Sequence, residues 1–108
     1  MTVSRNLVSG NTSMLLLKLL SEKDMYGYEM INALEKRSNN IFELKVGSLY
    51  PLLHSLMKSG YLKGYDKAVN GKQRKYYQVT ANGQKYLRRM AKEWKNDTNA
   101  IDMMIGGV

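Results

Sequence analysis

Two stretches decide the fold: GSLYPLLHSLMKSGYL at residues 47–62 and RKYYQVTANG at residues 74–83. In and just before the first, Val46, Leu49, Leu52, Leu53, Leu56 and Met57 recur at i, i+3, i+4, i+7, the spacing of a helix with one apolar face. Ser59-Gly60 ends it, glycine supplying a left-handed cap. Pro51, the one proline of the chain, is tolerated only near a helix start. The spacing therefore predicts a start near Gly47 or Ser48. Beyond Gly60 the period changes to two. Tyr61–Asp66 (YLKGYD) and Lys75–Thr80 (KYYQVT) read as strands, joined by a loop over 67–74 whose Asn70-Gly71 is a hairpin signal.

Working outward, Met14–Leu20 (MLLLKLL) is apolar nearly all round, as in a helix buried on several sides. Asn11, Thr12 and Ser13 are candidate N-caps, with a start as early as Ser4 also open. Ser21–Met25 reads as a polar turn. Tyr28, Ile31, Ala33 and Leu34 mark a second helix from Tyr26 to Asn39-Asn40, and 41–45 a short extended connector. On the far side, Thr80 caps a long fourth helix. Leu87, Met90, Trp94, Ile101 and Met104 form a near-heptad seam on it, broken at Asp97. The order is three helices, two strands, one long helix. The expected fold is mainly α with a small β-hairpin: a winged helix-turn-helix over 1–80, a dimerisation helix over 81–105 and a frayed tail at 106–108.

A chain of 108 residues with 44% apolar side chains builds one small domain, which often gains stability by pairing. It has no cysteine, so disulfides, thiolate metal sites and cysteine nucleophiles are excluded. No apolar run reaches the roughly 20 residues of a membrane span, and no signal peptide is read. The expected setting is the cytoplasm, with no membrane partner. Net charge is +8, and its placement is one-sided. Between Lys45 and Lys92 stand eleven Lys/Arg and a single acid, Asp66. Such a field attracts a polyanion. Charge alone does not separate DNA from RNA or an anionic surface.

The third helix is the candidate recognition helix. Its apolar face (Val46, Leu49, Leu53, Leu56) belongs to the core. Ser48, Pro51, His54, Ser55 and Lys58 lie opposite, with Tyr50 at the border. Short hydrogen-bonding side chains read base edges in the major groove, so Ser48, Tyr50 and His54 are candidates. Tyr50 has a second reading as a core residue with a bonded hydroxyl, and His54 a second reading as a plain surface histidine. Lys72, Gln73, Arg74 and Lys75 on the hairpin are candidate backbone contacts; Lys45 and Tyr28, near helix starts, are candidate phosphate contacts. Tyr76 and Tyr77 point to opposite faces of their strand, one to the core and one to the groove or solvent. A lone histidine and the absence of any nucleophile–base pair, metal spacing or phosphate loop exclude an enzyme, a metal site and a cofactor.

MYGYEM at 25–30, GSLYPLLHSLMKSGYL at 47–62 and RKYYQVTANG at 74–83, at these spacings, resemble the PadR family of bacterial transcriptional regulators over about residues 5–95. The resemblance implies a homodimeric repressor of the small subclass that binds duplex DNA at a palindromic operator. It implies a fourth helix packed on the partner's first helix. It also suggests planar aromatic or phenolic ligands at the dimer interface, stacked on Trp94. Leu7, Gly10 and Met14, with Leu87, Met90 and Ile101, would line that interface. Two rivals stand beside this reading. One is a winged-helix protein-interaction module without sequence-specific DNA binding. The other is a single-strand binder.

Overall fold

The computed structural model describes residues 5–106, with side chains from residue 11 onward. The elements are α1 (Arg5–Glu22), β1 (Met25–Tyr26), α2 (Gly27–Arg37), α3 (Val46–Lys58), β2 (Leu62–Val69), β3 (Lys72–Val79) and α4 (Ala81–Ile105). The sheet is antiparallel in the order β1-β3-β2. This is a winged helix carrying a long terminal helix.

The core is built around α1, which packs on α2, α4 and β3. Its Leu16, Leu17, Leu19 and Leu20 are buried on all sides, with Met30 and Leu34 of α2, Leu49, Leu53 and Leu56 of α3, Leu62 of β2 and Tyr77 of β3. A fully buried leucine stabilises by roughly 2 kcal/mol through the apolar surface it removes from water, so the leucine-rich sequence of α1 makes it the centre of the domain. This helix starts at Arg5, so Asn11, Thr12 and Ser13 lie inside it and are not its caps. It also runs on to Glu22, through the first half of the expected turn at 21–25.

Met25, the last residue of that turn, belongs instead to β1. This strand pairs with β3 at Met25↔Tyr77 and Tyr26↔Tyr76, and so fastens the start of α2 to the hairpin. Two residues are too few to show a period, which is why the sequence hides this strand. The α2 helix ends at Arg37, followed by Asn39 and Asn40 at φ 52° and 65°. Asparagine tolerates this left-handed region better than most residues.

The α3 helix starts at Val46, one residue ahead of the expected range, which leaves Pro51 in its second turn. The carbonyl that Pro51 cannot satisfy belongs to Gly47, an exposed residue, so the missing hydrogen bond falls at the surface and not in the core. Val46, assigned to the core by spacing, is exposed because it opens the helix. The α3 helix closes in a Schellman turn: Tyr61 N–H donates to Leu56 O (2.9 Å) and Gly60 N–H to Met57 O (3.0 Å), with Gly60 at φ 81°.

The expected loop at 67–74 is instead two longer strands around a two-residue turn. Asn70 and Gly71 both have positive φ (53° and 79°), the type I′ geometry that matches strand twist. The turn therefore holds register up to Val69↔Lys72. Thr80 then caps α4 as expected, accepting from Gly83 N–H at 3.0 Å. Its hydroxyl donates to Gly60 O at 2.6 Å, and its N–H to Tyr61 O at 3.0 Å. Gly83 presses directly on the Tyr61 carbonyl, where a β-carbon has no room. Tyr61 and Tyr86 stack beside it, 4.2 Å between centroids and 9° from parallel. Gly106 ends α4 in a left-handed cap, φ 56°, so the helix stop precedes the tail; Gly107 and Val108 lie outside the described residues.

These contacts predict opposite outcomes at two glycines. Gly83→Ala drives a methyl into backbone and should destabilise the fold by about 1–3 kcal/mol. Gly47→Ala meets open space in an exposed helix and should stabilise by up to about 1 kcal/mol. Urea unfolding of the two variants checks both signs.

Candidate nucleic-acid interface

The buried stripe Leu49, Leu53, Leu56 pins one face of α3 and turns the other outward. Ser48, Pro51, His54, Ser55 and Lys58 are all exposed. With 13 residues the helix is about 20 Å long, a rod that a major groove about 12 Å wide accepts. Lys45 occupies its N-cap position, exposed. Tyr28, in the first turn of α2, is 56% exposed.

Tyr50 packs against the core. Its ring lies half-buried against the core, and its hydroxyl fills the space left by Gly27: a β-carbon there would sit 2.5 Å from Tyr50 Oη. It thereby holds α3 against the start of α2.

Tyr77 faces the core and is 2% exposed; burial pushes its phenol pKa up. Tyr76 points to the opposite face, yet is only 8% exposed, so neither tyrosine faces groove or solvent. The cover comes from β1 and β2. Tyr26 meets Tyr76 edge-on at 5.5 Å, and Tyr65 stacks on it at 5.7 Å. Burial raises the Tyr76 phenol pKa as well. Two cations lie over this cluster, Lys67 Nζ at 5.1 Å from the Tyr76 ring and the Arg74 guanidinium at 5.2 Å from the Tyr26 ring. Asp24 accepts from the Tyr65 hydroxyl at 2.7 Å. The cluster escaped the sequence reading because it needs β1, and Asp24 and Tyr65 are 41 positions apart.

Lys72, Gln73 and Lys75 are exposed, and Arg74 is half-buried in its cation–π contact. Among the described residues the ion pairs are Lys18–Glu22, Lys23–Glu29 and Arg37–Glu22. Glu22 of α1 and Glu29 of α2 thus pair with nearby cations, and none of these pairs involves the hairpin or α3. The described residues hold no cluster of metal-ligating side chains and no helix long and apolar enough to cross a membrane.

On α4, Leu87, Met90 and Trp94 are half-buried, and Met14 of α1 is likewise half-buried. Ile101, Met103, Met104 and Ile105 are 50% to 88% exposed. Leu7 and Gly10 lie in the first turns of α1, outside the residues whose side chains are described.

A winged helix whose cations are left unpaired on one side matches known proteins closely. The model of the transcriptional regulator PadR-like family fits residues 16–89. The chain belongs to that family. An uncharacterized protein X of Lysinibacillus sphaericus is 35% identical over 107 residues, 98% of each chain. A transcriptional regulator from Clostridium thermocellum superposes with a TM-score of 0.84 at 31% identity, covering 91% of this chain and 96% of that one. A PadR-like transcriptional regulator from Bacillus cereus gives 0.83 at 28% identity, covering 95% and 99%. This PadR-like chain is a transcriptional regulator by family and not an enzyme.

The Asp24 contact has a signature in solution. It holds the Tyr65 phenol pKa at about 12, against an ordinary 10. A folded-state pKa raised in this way stabilises the fold below pH 10, and the contribution is lost as pH rises from 10 to 12. Phenolate absorbance should therefore show a late-titrating tyrosine that disappears in Tyr65→Phe. The stability gap between that variant and wild type should narrow over the same interval.

Proposed function

We propose that this PadR-like regulator binds duplex DNA as a homodimer, one recognition helix in each of two successive major grooves, and represses transcription from a palindromic operator in the cytoplasm. The observation that carries the reading is the exposed α3 face beside a hairpin whose cations have no acid partner. The two half-sites would lie one helical turn, about 34 Å, apart. Lys45, Lys72, Arg74 and Lys75 meet phosphates, a sequence-independent attraction that weakens with salt. Ser48 and His54 face the bases. Arg74 keeps free guanidinium donors while stacked on Tyr26, so its position is set in advance.

Pairing occurs through α4. At 25 residues it is about 37 Å long, and in its last turns Ile101, Met104 and Ile105 are 50% to 88% exposed. The half-buried Trp94 lies on the same seam, where a planar aromatic ligand would stack and change affinity to the extent that it binds the free and DNA-bound forms differently.

Binding to a palindromic duplex, measured against salt concentration, tests the reading. Arg74→Ala should weaken binding to all sequences and lower the salt slope by about one unit, whereas Ser48→Ala should reduce the preference for operator over random duplex. An unchanged slope and an unchanged preference would favour a protein-docking winged helix. Trp94 is the only tryptophan, so its fluorescence reports directly on aromatic ligands. Quenching by a dye or phenolic compound is expected, and its absence across a panel would leave Trp94 as packing.

A further inference from the structure

Gly64 stands inside β2, in the row that faces the core side of the sheet, opposite Tyr77. Its φ is not positive, so the backbone there does not require glycine, and a strand interior disfavours it. What glycine supplies is space. A β-carbon at this position would lie 2.6 Å from Lys75 Cε, 3.5 Å from Lys75 Nζ and 3.5 Å from Met57 Cε.

The register sharpens this. The cross-strand partner of Lys75 is Asp66, not Gly64. An acid and a lysine directly opposite each other ordinarily attract, yet no ion pair joins them. The Lys75 stem instead leans diagonally across Gly64 toward Met57, in the last turn of α3. Its apolar methylenes lie on bare backbone beside the Met57 methyl, as long cationic side chains do when they cover apolar surface. The ammonium comes out at the junction of hairpin and recognition helix.

We infer that Gly64 is a positioning residue for DNA binding: its missing β-carbon lets Lys75 lean away from Asp66 and present an unneutralised ammonium to a phosphate at the junction of α3 and the hairpin. The inference rests on the DNA-binding reading above. It gives Lys75 a different place from Lys72 near the turn and from Arg74 on the tyrosine face. The nearest atoms to a β-carbon at residue 64 are the flexible end of Lys75 and the tip of Met57, so a substitution there redirects a charge without breaking the fold.

The experiment has two arms on the full chain. In the first, without DNA, a nuclear Overhauser contact between the Met57 methyl and the Lys75 ε-methylene is expected in wild type and absent in Gly64→Ala, with the thermal midpoint nearly unchanged. Its persistence in the variant would overturn the seat. In the second, affinity for a random-sequence duplex is followed against salt. Lys75→Ala should lower the slope by about one unit. Gly64→Ala should weaken binding by about three- to fivefold near physiological salt, and should add nothing in the Lys75→Ala background. Equal losses in both backgrounds would assign Gly64 a role independent of Lys75 and overturn the inference. A wild-type chain that shows the contact but binds no duplex would instead fail the DNA-binding reading.

Discussion

The architecture turns on one joint, where Thr80 and Gly83 at the head of α4 meet Gly60 and Tyr61 at the foot of α3. Thr80 alone makes four hydrogen bonds there. Its hydroxyl caps Gly83 N–H and donates to Gly60 O, its N–H donates to Tyr61 O, and its carbonyl accepts from Gln84 N–H at 2.9 Å. Each of the two helix ends leaves backbone groups that its own helix cannot satisfy. The joint uses the needs of one end to meet those of the other. Gly83 permits the approach, and the Tyr61–Tyr86 stack closes it from the side. The hairpin begins and ends at the same place, so its base has little freedom to drift.

A second constraint acts further along the hairpin. Five cations on two adjacent strands (Lys63, Lys67, Lys72, Arg74 and Lys75) repel one another, with Asp66 the single opposing charge between residues 62 and 79. The fold offsets this with rings in place of acids. Lys67 and Arg74 rest over tyrosines, whose faces attract cations without cancelling their charge. An acid in the same positions would have stabilised the hairpin and neutralised the surface. Tyrosine stabilises it and leaves the surface positive, and the Asp24 bond to Tyr65 anchors the ring stack to the residue just before β1.

Much of this was legible in the sequence because it is local. The leucine periodicity of α3, the Gly60 cap, the Asn70-Gly71 turn and the Thr80 cap each depend on residues a few positions apart. The family resemblance added the pairing of these blocks. What stayed hidden is non-local. The two-residue β1 has no period of its own, and without it Tyr76 looks as if one side of its strand is bare. Tyr50, at the border of the α3 face, fits either direction by spacing alone; its hydroxyl lies in the space at Gly27, 23 residues earlier. Gly64 carried no signal either, since an unremarkable backbone gives no reason to suspect a diagonal neighbour. The α3 helix opens at Val46, one residue ahead of the expected range, and α1 opens at Arg5, close to the earlier of the two starts its sequence allows.

The joint also bears on how two copies would place their recognition helices. The α4 helix is about 37 Å long, so a rotation of 5 degrees about Gly83 moves its tip by about 3 Å. Bonds from Thr80 to Gly60 and Tyr61 resist that rotation within one chain. The separation of two α3 helices in a dimer is then set less by bending inside each chain than by how the α4 seams meet. A seam with Leu87, Met90 and Trp94 half-buried and Ile101 and Met104 exposed leaves that meeting dependent on few contacts, with Asp97 breaking the apolar run. In such a dimer, rigidity at the head of α4 and an interrupted seam along it would place any adjustable element between the chains, far from the residues proposed to face DNA.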